Sequence, residues 1–216
     1  MILAVAATKG GEGKTTIGIQ VAIKRALAGR KVLLVDGDRQ RTAEIAIANR
    51  AVLEIEPIIG AVNYPDGATL RSQVKLQSQM WDDIIIDVGG RDSTALRAAL
   101  VVCDQLLVPF RPRSFSVWAL TDIAALIDEA NSYRDQPLTG HALLNFADPV
   151  SRPADNKEAV EALDGFPQLQ YLPTSLGDRK AFAQAAGMGL CVDELAAQWR
   201  NPQAMQELDD LVSMLF

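Results

Sequence analysis

The chain has 216 residues, of which 49% are hydrophobic and 22% charged, so it holds enough apolar material for a sizeable core and is not composed like a disordered protein. Twenty-one Lys and Arg stand against 27 Asp and Glu, a formal charge of −6, which excludes coating of nucleic acid by bulk charge and leaves only a local basic patch. Cys103 and Cys191 lie far apart without metal-ligand spacing, and no basic region precedes the apolar start, so a reduced cytoplasmic setting without secretion signal or membrane span is expected.

The apolar run at 2–7 is short and continuous and ends at Gly10, Gly11 and Gly13, the pattern of a strand buried on both faces before a tight turn. Apolar positions Ile19, Ala22, Ile23 and Ala26 then recur at helical spacing, predicting a helix over 15–28 stopped by Gly29. A strand is expected at 31–35, a helix at 42–49, a short apolar stretch at 57–62, a helix at 68–80 and a buried strand at 83–87. The alternation continues with a helix at 94–102, a strand at 105–108, a helix at 114–130 and a strand at 141–145, then a proline-containing loop at 148–153. A helix at 155–163, a strand at 169–172 and a helical remainder follow, with Pro202 suited to the first turn of the last helix. Strands alternating with helices force crossover connections. The expected fold is therefore α/β, a doubly wound and mostly parallel sheet flanked by helices, in one domain over 1–216, with ligands at the C-terminal ends of the strands.

Between the first strand and first helix stands Thr8-Lys9-Gly10-Gly11-Glu12-Gly13-Lys14-Thr15-Thr16, which reads as a phosphate loop. Its glycines let successive backbone N–H groups turn inward on phosphate oxygens, and the following helix N-terminus adds partial positive charge. Lys14 is expected to reach the β- and γ-phosphates and the Thr15 hydroxyl to ligate Mg²⁺, with Gly10, Gly11, Glu12, Gly13 and Thr16 completing the nucleotide contacts. Where the strict pattern has its first glycine, this chain has Thr8, and a second lysine, Lys9, stands beside it.

This run resembles the deviant Walker A motif of the ParA/MinD superfamily of P-loop ATPases, closest in pattern to small ParA-type plasmid partition ATPases. The resemblance implies a P-loop NTPase fold, ATP/ADP with Mg²⁺, and a trans-acting signature role for Lys9, which would reach the partner subunit's nucleotide in an ATP-dependent homodimer. Asp36-Gly37-Asp38-Arg39-Gln40 looks like the family's Asp-x-Asp-Pro-Gln motif, with Arg39 in the proline position. By resemblance Asp38 orients or activates the attacking water and Asp36 lies near Mg²⁺ through its water shell, the two carboxylates projecting from one side of an extended strand. Ile84-Ile85-Ile86-Asp87 has the Walker B arrangement, placing Asp87 at the metal, and Gly89 and Gly90 fall on the family's switch loop.

Later segments fit less specifically. Pro109-Phe110-Arg111-Pro112 resembles a proline-marked loop near the dimer interface, Asn145 matches an adenine-reading asparagine, and Leu172-Pro173-Thr174-Ser175 resembles a base-contacting region. His141, the only histidine, has no ligand-spaced companions and reads as structural. Arg111, Arg113, Arg179 and Lys180 are the candidates for non-specific DNA contact, and the acidic C-terminal segment at 193–216 lacks the basic face of a membrane-surface helix. The resemblance implies slow ATP hydrolysis that drives plasmid or chromosome partition on non-specific DNA, with a small centromere-binding adaptor and association with the nucleoid. Three alternatives stay open: a MinD-like or carboxysome-type positioning ATPase, a conjugation accessory ATPase, and a metabolic ligase of the dethiobiotin synthetase type.

Overall fold

Seven apolar runs of four to nine residues pair edge to edge in the computed structural model, which describes residues 1–112, 116–147 and 153–216. The chain begins with β1 (Ile2–Val5), α1 (Lys14–Leu27), β2 (Val32–Asp36), α2 (Thr42–Val52), β3 (Gly60–Asn63), α3 (Gly67–Gln77) and β4 (Asp83–Asp87). It continues with α4 (Thr94–Val102), β5 (Gln105–Phe110), α5 (Ser116–Asn131), β6 (Gly140–Ala147), α6 (Pro153–Glu161), β7 (Leu169–Gly177), α7 (Lys180–Gly187) and α8 (Pro202–Leu215). Arg113 and residues 148–152 of the expected loop at 148–153 lie outside the described residues, and Pro153 begins α6.

The strand order is β3-β2-β4-β1-β5-β6-β7, and every neighbouring pair is parallel. Because side chains alternate across a strand, the central strands feed two cores. Leu3, Val5, Val32, Leu34, Ile85 and Leu107 face the layer of α1, α2, α7 and α8. Ala4, Leu33, Val35, Ile84, Ile86 and Leu106 face α3, α4 and α5 on the other side. Burying one such Leu or Ile contributes about 1.5–3 kcal/mol, so the doubly apolar centre of the sheet is its most stable part. Chain order reverses at β1, which lies between β4 and β5, and the loops leaving β1, β2 and β4 therefore open onto the same edge of the sheet.

Two expectations need correction. The stretch at 57–62 runs into the strand β3, where Gly60 leaves room for the Trp81 ring: a Cβ there would fall 2.6 Å from it. The seventh strand does not stop at 172. It runs through Pro173 to Gly177, because β7 is an edge strand where a missing backbone donor is tolerated, and its register against β6 shifts along this stretch.

Arg50 joins the first half of the chain to its end. It is 1% exposed, pairs through both Nη atoms with the Glu194 carboxylate at 2.8 Å, and donates to the carbonyls of Glu56, Pro57 and Gly189. Truncating one member of a buried pair strands the other, a cost of about 3–5 kcal/mol. Arg50→Ala should therefore lose stability of that order in urea unfolding, and a change under about 1 kcal/mol would contradict the role given to this cluster.

Candidate functional site

The loop leaving β1 turns back over the sheet with Gly11 at φ 83° and Gly13 at φ 84°, a region L side chains rarely adopt. Gly13 also starts α1, which has no capping side chain and no acidic residue in its first turn. Its first amides are thus presented with the positive end of the helix dipole, an arrangement suited to an anion.

Lys14, the first residue of α1, is 6% exposed, and its Nζ donates to the Lys9 carbonyl at 2.8 Å. Burial lowers the pKa of this ammonium from the usual lysine value, opposed by the charges of Asp87, Glu12 and Asp38. Asp87, at the end of β4, is buried, and desolvation pushes its carboxyl up to about 7, eased by a hydrogen bond from Thr15. Its Oδ1 has no hydrogen-bond partner. A buried carboxylate with an orphaned oxygen beside a threonine hydroxyl is what a hard divalent cation would satisfy, so Thr15 and Asp87 fit the expected Mg²⁺.

Asp36 and Asp38 do different things. The strand ends at Asp36, whose Oδ1 accepts from the Asp38 amide at 2.9 Å and whose Oδ2 accepts from the amides of Ala43 and Glu44 at 2.9 and 3.1 Å. Its carboxylate therefore anchors the N-terminus of α2, and the same-side alternation expected of the pair does not extend past the strand end. Asp38 follows the turn into the cavity mouth, and its Oδ2 lies so close to Gly89 that a Cβ there would meet it at 2.7 Å. Asn63, at the end of β3, donates to the carbonyls of both Asp36 and Asp38 at 2.9 and 2.7 Å. Sequence reading missed this brace, since an asparagine ending a short strand looks like any turn residue.

The segment after β4 closes the other wall. A Cβ on Gly90 would fall 2.8 Å from the Gly10 backbone, so the expected switch loop packs directly on the phosphate loop, and Ser93 ties its far end by capping α4 at 3.1 Å. Together these loops line a cavity of about 1020 Å³ that includes Gly10, Gly11, Gly13, Lys14, Thr15, Thr16 and Asp38. Arg39 and Arg91, which sequence reading left without a role, are also on its wall.

Two expected nucleotide contacts, Glu12 and Asn145, sit elsewhere, and Lys9, expected to act on a partner's nucleotide, is outside its own cavity. Glu12 turns away from the cavity and is 2% exposed. The Lys9 side chain does not line the cavity either; it is half-exposed, with Nζ 3.8 Å from Glu12 Oε1. Asn145, expected at adenine, is buried behind the loop, with Nδ2 donating to the Glu12 carbonyl at 2.7 Å, so its observed contact is with the loop backbone. Of the DNA candidates, Arg179 is paired with Glu207 at 2.6 Å, Arg111 stacks on Phe146, and Lys180 is exposed. Among the described residues no helix is long and apolar enough to cross a membrane.

The sequence pattern of the CobQ/CobB/MinD/ParA nucleotide binding domain matches residues 3–192. The chain belongs to this family. It is 27% identical over 215 residues to "Maintenance of carboxysome distribution protein A" of Halothiobacillus neapolitanus, covering 98% of this chain and 94% of that protein. A protein of the same name from Gloeobacter kilaueensis is 30% identical over 220 residues, covering 95% and 88%. The chromosome-partitioning ATPase Soj of Thermus thermophilus is 26% identical over 155 residues, covering 60% and 62%. Among solved structures, apo McdA from Cyanothece superposes with a TM-score of 0.80 at 19% identity, covering 100% of this chain and 99% of that one. MinD of Pyrococcus horikoshii with Mg-ADP does so with a TM-score of 0.72 at 16% identity, covering 99% and 95%. These likenesses confirm the parallel α/β fold and the ParA/MinD resemblance.

The raised pKa of Asp87 has a testable sign. An acid whose folded pKa is about 7 instead of the ordinary aspartate value of 3.8 leaves the fold carrying an ionisation cost that is absent below pH 4 and complete above pH 7. The nucleotide-free Asp87→Asn variant should therefore melt higher than wild type at pH 8, by about 2–4 kcal/mol of stability, with the gap closing toward pH 5. Melting curves whose difference is independent of pH would contradict this environment for Asp87.

Proposed function

We propose that this ParA/MinD-family ATPase binds ATP with Mg²⁺ in the cavity at the ends of β1, β2 and β4, pairs with a second copy in the ATP state, and hydrolyses ATP slowly to distribute a cargo. The observation that carries the reading is the division of labour between two lysines of one loop: Lys14 is buried and faces the cavity, while Lys9 is half-exposed on the loop's outer side and faces away from its own cavity. A lysine so placed is available to a nucleotide in another subunit, which supports the trans-acting reading.

The loop amides and the α1 N-terminus would hold the β-phosphate, and Lys14 would exchange the Lys9 carbonyl for a phosphate oxygen. Mg²⁺ held by Thr15 and Asp87, with Asp36 behind them in the water shell, would supply charge neutralisation on the phosphates. Asp38, at the cavity mouth, would orient a water and accept its proton as that water attacks the γ-phosphorus and the bond to the β-phosphate oxygen breaks, giving ADP and phosphate. The ammonium of Lys9 from the partner subunit would stabilise charge on the transferring group, which makes dimerisation part of the active site.

For the cargo, the relatives matched along nearly the whole chain favour distribution of a large protein body such as a carboxysome. In this reading the protein would work over non-specific DNA through a small adaptor in the cytoplasm. Plasmid or chromosome partition is the second reading, supported by the shorter matches to Soj and to ParA of Rhizobium radiobacter. Salt-sensitive, ATP-dependent binding to random duplex DNA is expected under both; liposome binding in its place would contradict both.

Size-exclusion chromatography with light scattering tests the core of the proposal. Wild type should be a monomer with ADP and a dimer with Mg²⁺ and a slowly hydrolysed ATP analogue. Lys14→Ala should lose nucleotide affinity by about tenfold or more, whereas Lys9→Ala should bind nucleotide within about threefold of wild type yet dimerise about tenfold or more weakly and lose turnover by about tenfold or more. A mass independent of nucleotide would overturn the switch and favour a metabolic enzyme of the same family.

A further inference from the structure

Glu12 is the anomaly of the phosphate loop. Its carboxylate is 3% exposed, and neither oxygen has a hydrogen-bond partner. Native proteins rarely leave buried carboxylates in that state without a nearby charge or a change of state that resolves it. The groups facing it are Lys9 and Lys14 from the loop and α1, and Arg111 from the end of β5. Lys14 points to the cavity side and is engaged by the Lys9 carbonyl. The Arg111 guanidinium lies over the Phe146 ring at 3.8 Å with its own Nε unpartnered, and the Arg111 backbone N–H faces the carboxylate without closing a hydrogen bond. Among the described residues, the Lys9 ammonium, 3.8 Å away and half-exposed, is the compensating charge with freedom to move.

Glu12 itself has no such freedom. Its carbonyl is held by Asn145 Nδ2 at 2.7 Å, and Gly13 beside it is packed so closely that a Cβ would meet the same Nδ2 at 2.3 Å. The loop backbone at Glu12 is therefore fixed on β6, and any separation of the pair is made by Lys9.

We infer that Glu12 is a positioning residue that restrains Lys9: its buried carboxylate holds the Lys9 ammonium on its own subunit, and the ATP dimer forms only as Lys9 leaves it. This rests on the trans-acting reading of Lys9 given above. The restraint has two latches. The Lys14 ammonium holds the Lys9 carbonyl, and phosphate binding, by drawing Lys14 into the cavity, releases it; Glu12 holds the side chain, and only a competing anion in the partner subunit releases that. Burial raises the Glu12 pKa, consistent with a carboxylate poorly compensated even while Lys9 is present. Departure of Lys9 leaves it worse compensated, so Glu12 opposes dimerisation and sets the threshold at which ATP achieves it.

The test is sedimentation equilibrium in Mg²⁺ and a saturating, slowly hydrolysed ATP analogue, comparing wild type, Glu12→Gln, Lys9→Ala and the double variant up to several hundred micromolar protein. Glu12→Gln should tighten the dimer by about three- to tenfold, the range a partly exposed ion pair permits, and should change it by less than about twofold when Lys9 is already alanine. If Glu12→Gln leaves the dimer unchanged or weaker while Lys9→Ala weakens it, the restraint is wrong and the trans role of Lys9 survives. Equal tightening in both backgrounds would also overturn it, since Glu12 would then act through general charge. If Lys9→Ala dimerises like wild type, the underlying reading of Lys9 fails and the restraint with it. Should Glu12→Gln not fold, Glu12→Val removes the charge with an apolar side chain suited to a buried site, and the same comparisons apply.

Discussion

The hydrogen bond from the Lys14 ammonium to the Lys9 carbonyl closes the phosphate loop on itself, and much of the site depends on the loop staying closed. A buried cation needs an acceptor, and without phosphate the loop's own backbone supplies it. Around that bond the two positive-φ glycines shape the turn, Asn145 supports it from β6, and Gly90 presses the following switch segment onto Gly10. The loop is therefore organised for an anion beforehand, and binding replaces one acceptor of Lys14 by another without rebuilding the backbone. The same exchange releases the Lys9 carbonyl, while the Lys9 side chain stays beside Glu12 until a partner's anion competes for it.

The carboxylates around the loop divide according to burial. Asp87 is buried with an orphaned oxygen and is pushed toward the neutral form, a state that a divalent cation would relieve. Asp36 spends its oxygens on three backbone amides and fixes where α2 begins, which in turn fixes the turn that carries Asp38 to the cavity mouth. Glu12, on the far side of the loop, has no hydrogen-bond partner on either oxygen and a half-exposed counterion. Stability is sacrificed at these points and recovered from the sheet centre and from clusters such as Arg50 with Glu194.

What could be read from the sequence was whatever local pattern alone determines. The Gly-rich run between an apolar strand and an amphipathic helix identifies the phosphate loop, and β4 and α4 fall at 83–87 and 94–102 as the apolar pattern predicts, because buried strands and helix caps are local signals. Direction of a side chain is not local. Nothing in the order of residues says that Glu12 turns toward Arg111 and not into the cavity, that Asn145 reaches the Glu12 carbonyl, or that Asn63 braces the Asp36 and Asp38 backbones from a neighbouring strand. The continuation of β7 through Pro173 is likewise not local: a proline's permissible place there depends on that strand being at the edge, which only the assembled sheet decides.

The central claim is that the complete site draws its second lysine from another subunit, and mixing two inactive variants tests it most directly. Lys9→Ala keeps its own cavity but has no lysine to lend, whereas Lys14→Ala can lend Lys9 but binds nucleotide poorly. Mixed at equal concentration with Mg²⁺ and ATP, they form heterodimers in which the Lys9→Ala subunit's nucleotide meets an intact Lys9. Phosphate release well above the sum of the two separate rates is the predicted result. A rate equal to that sum would contradict a shared site and return Lys9 to the subunit that carries it.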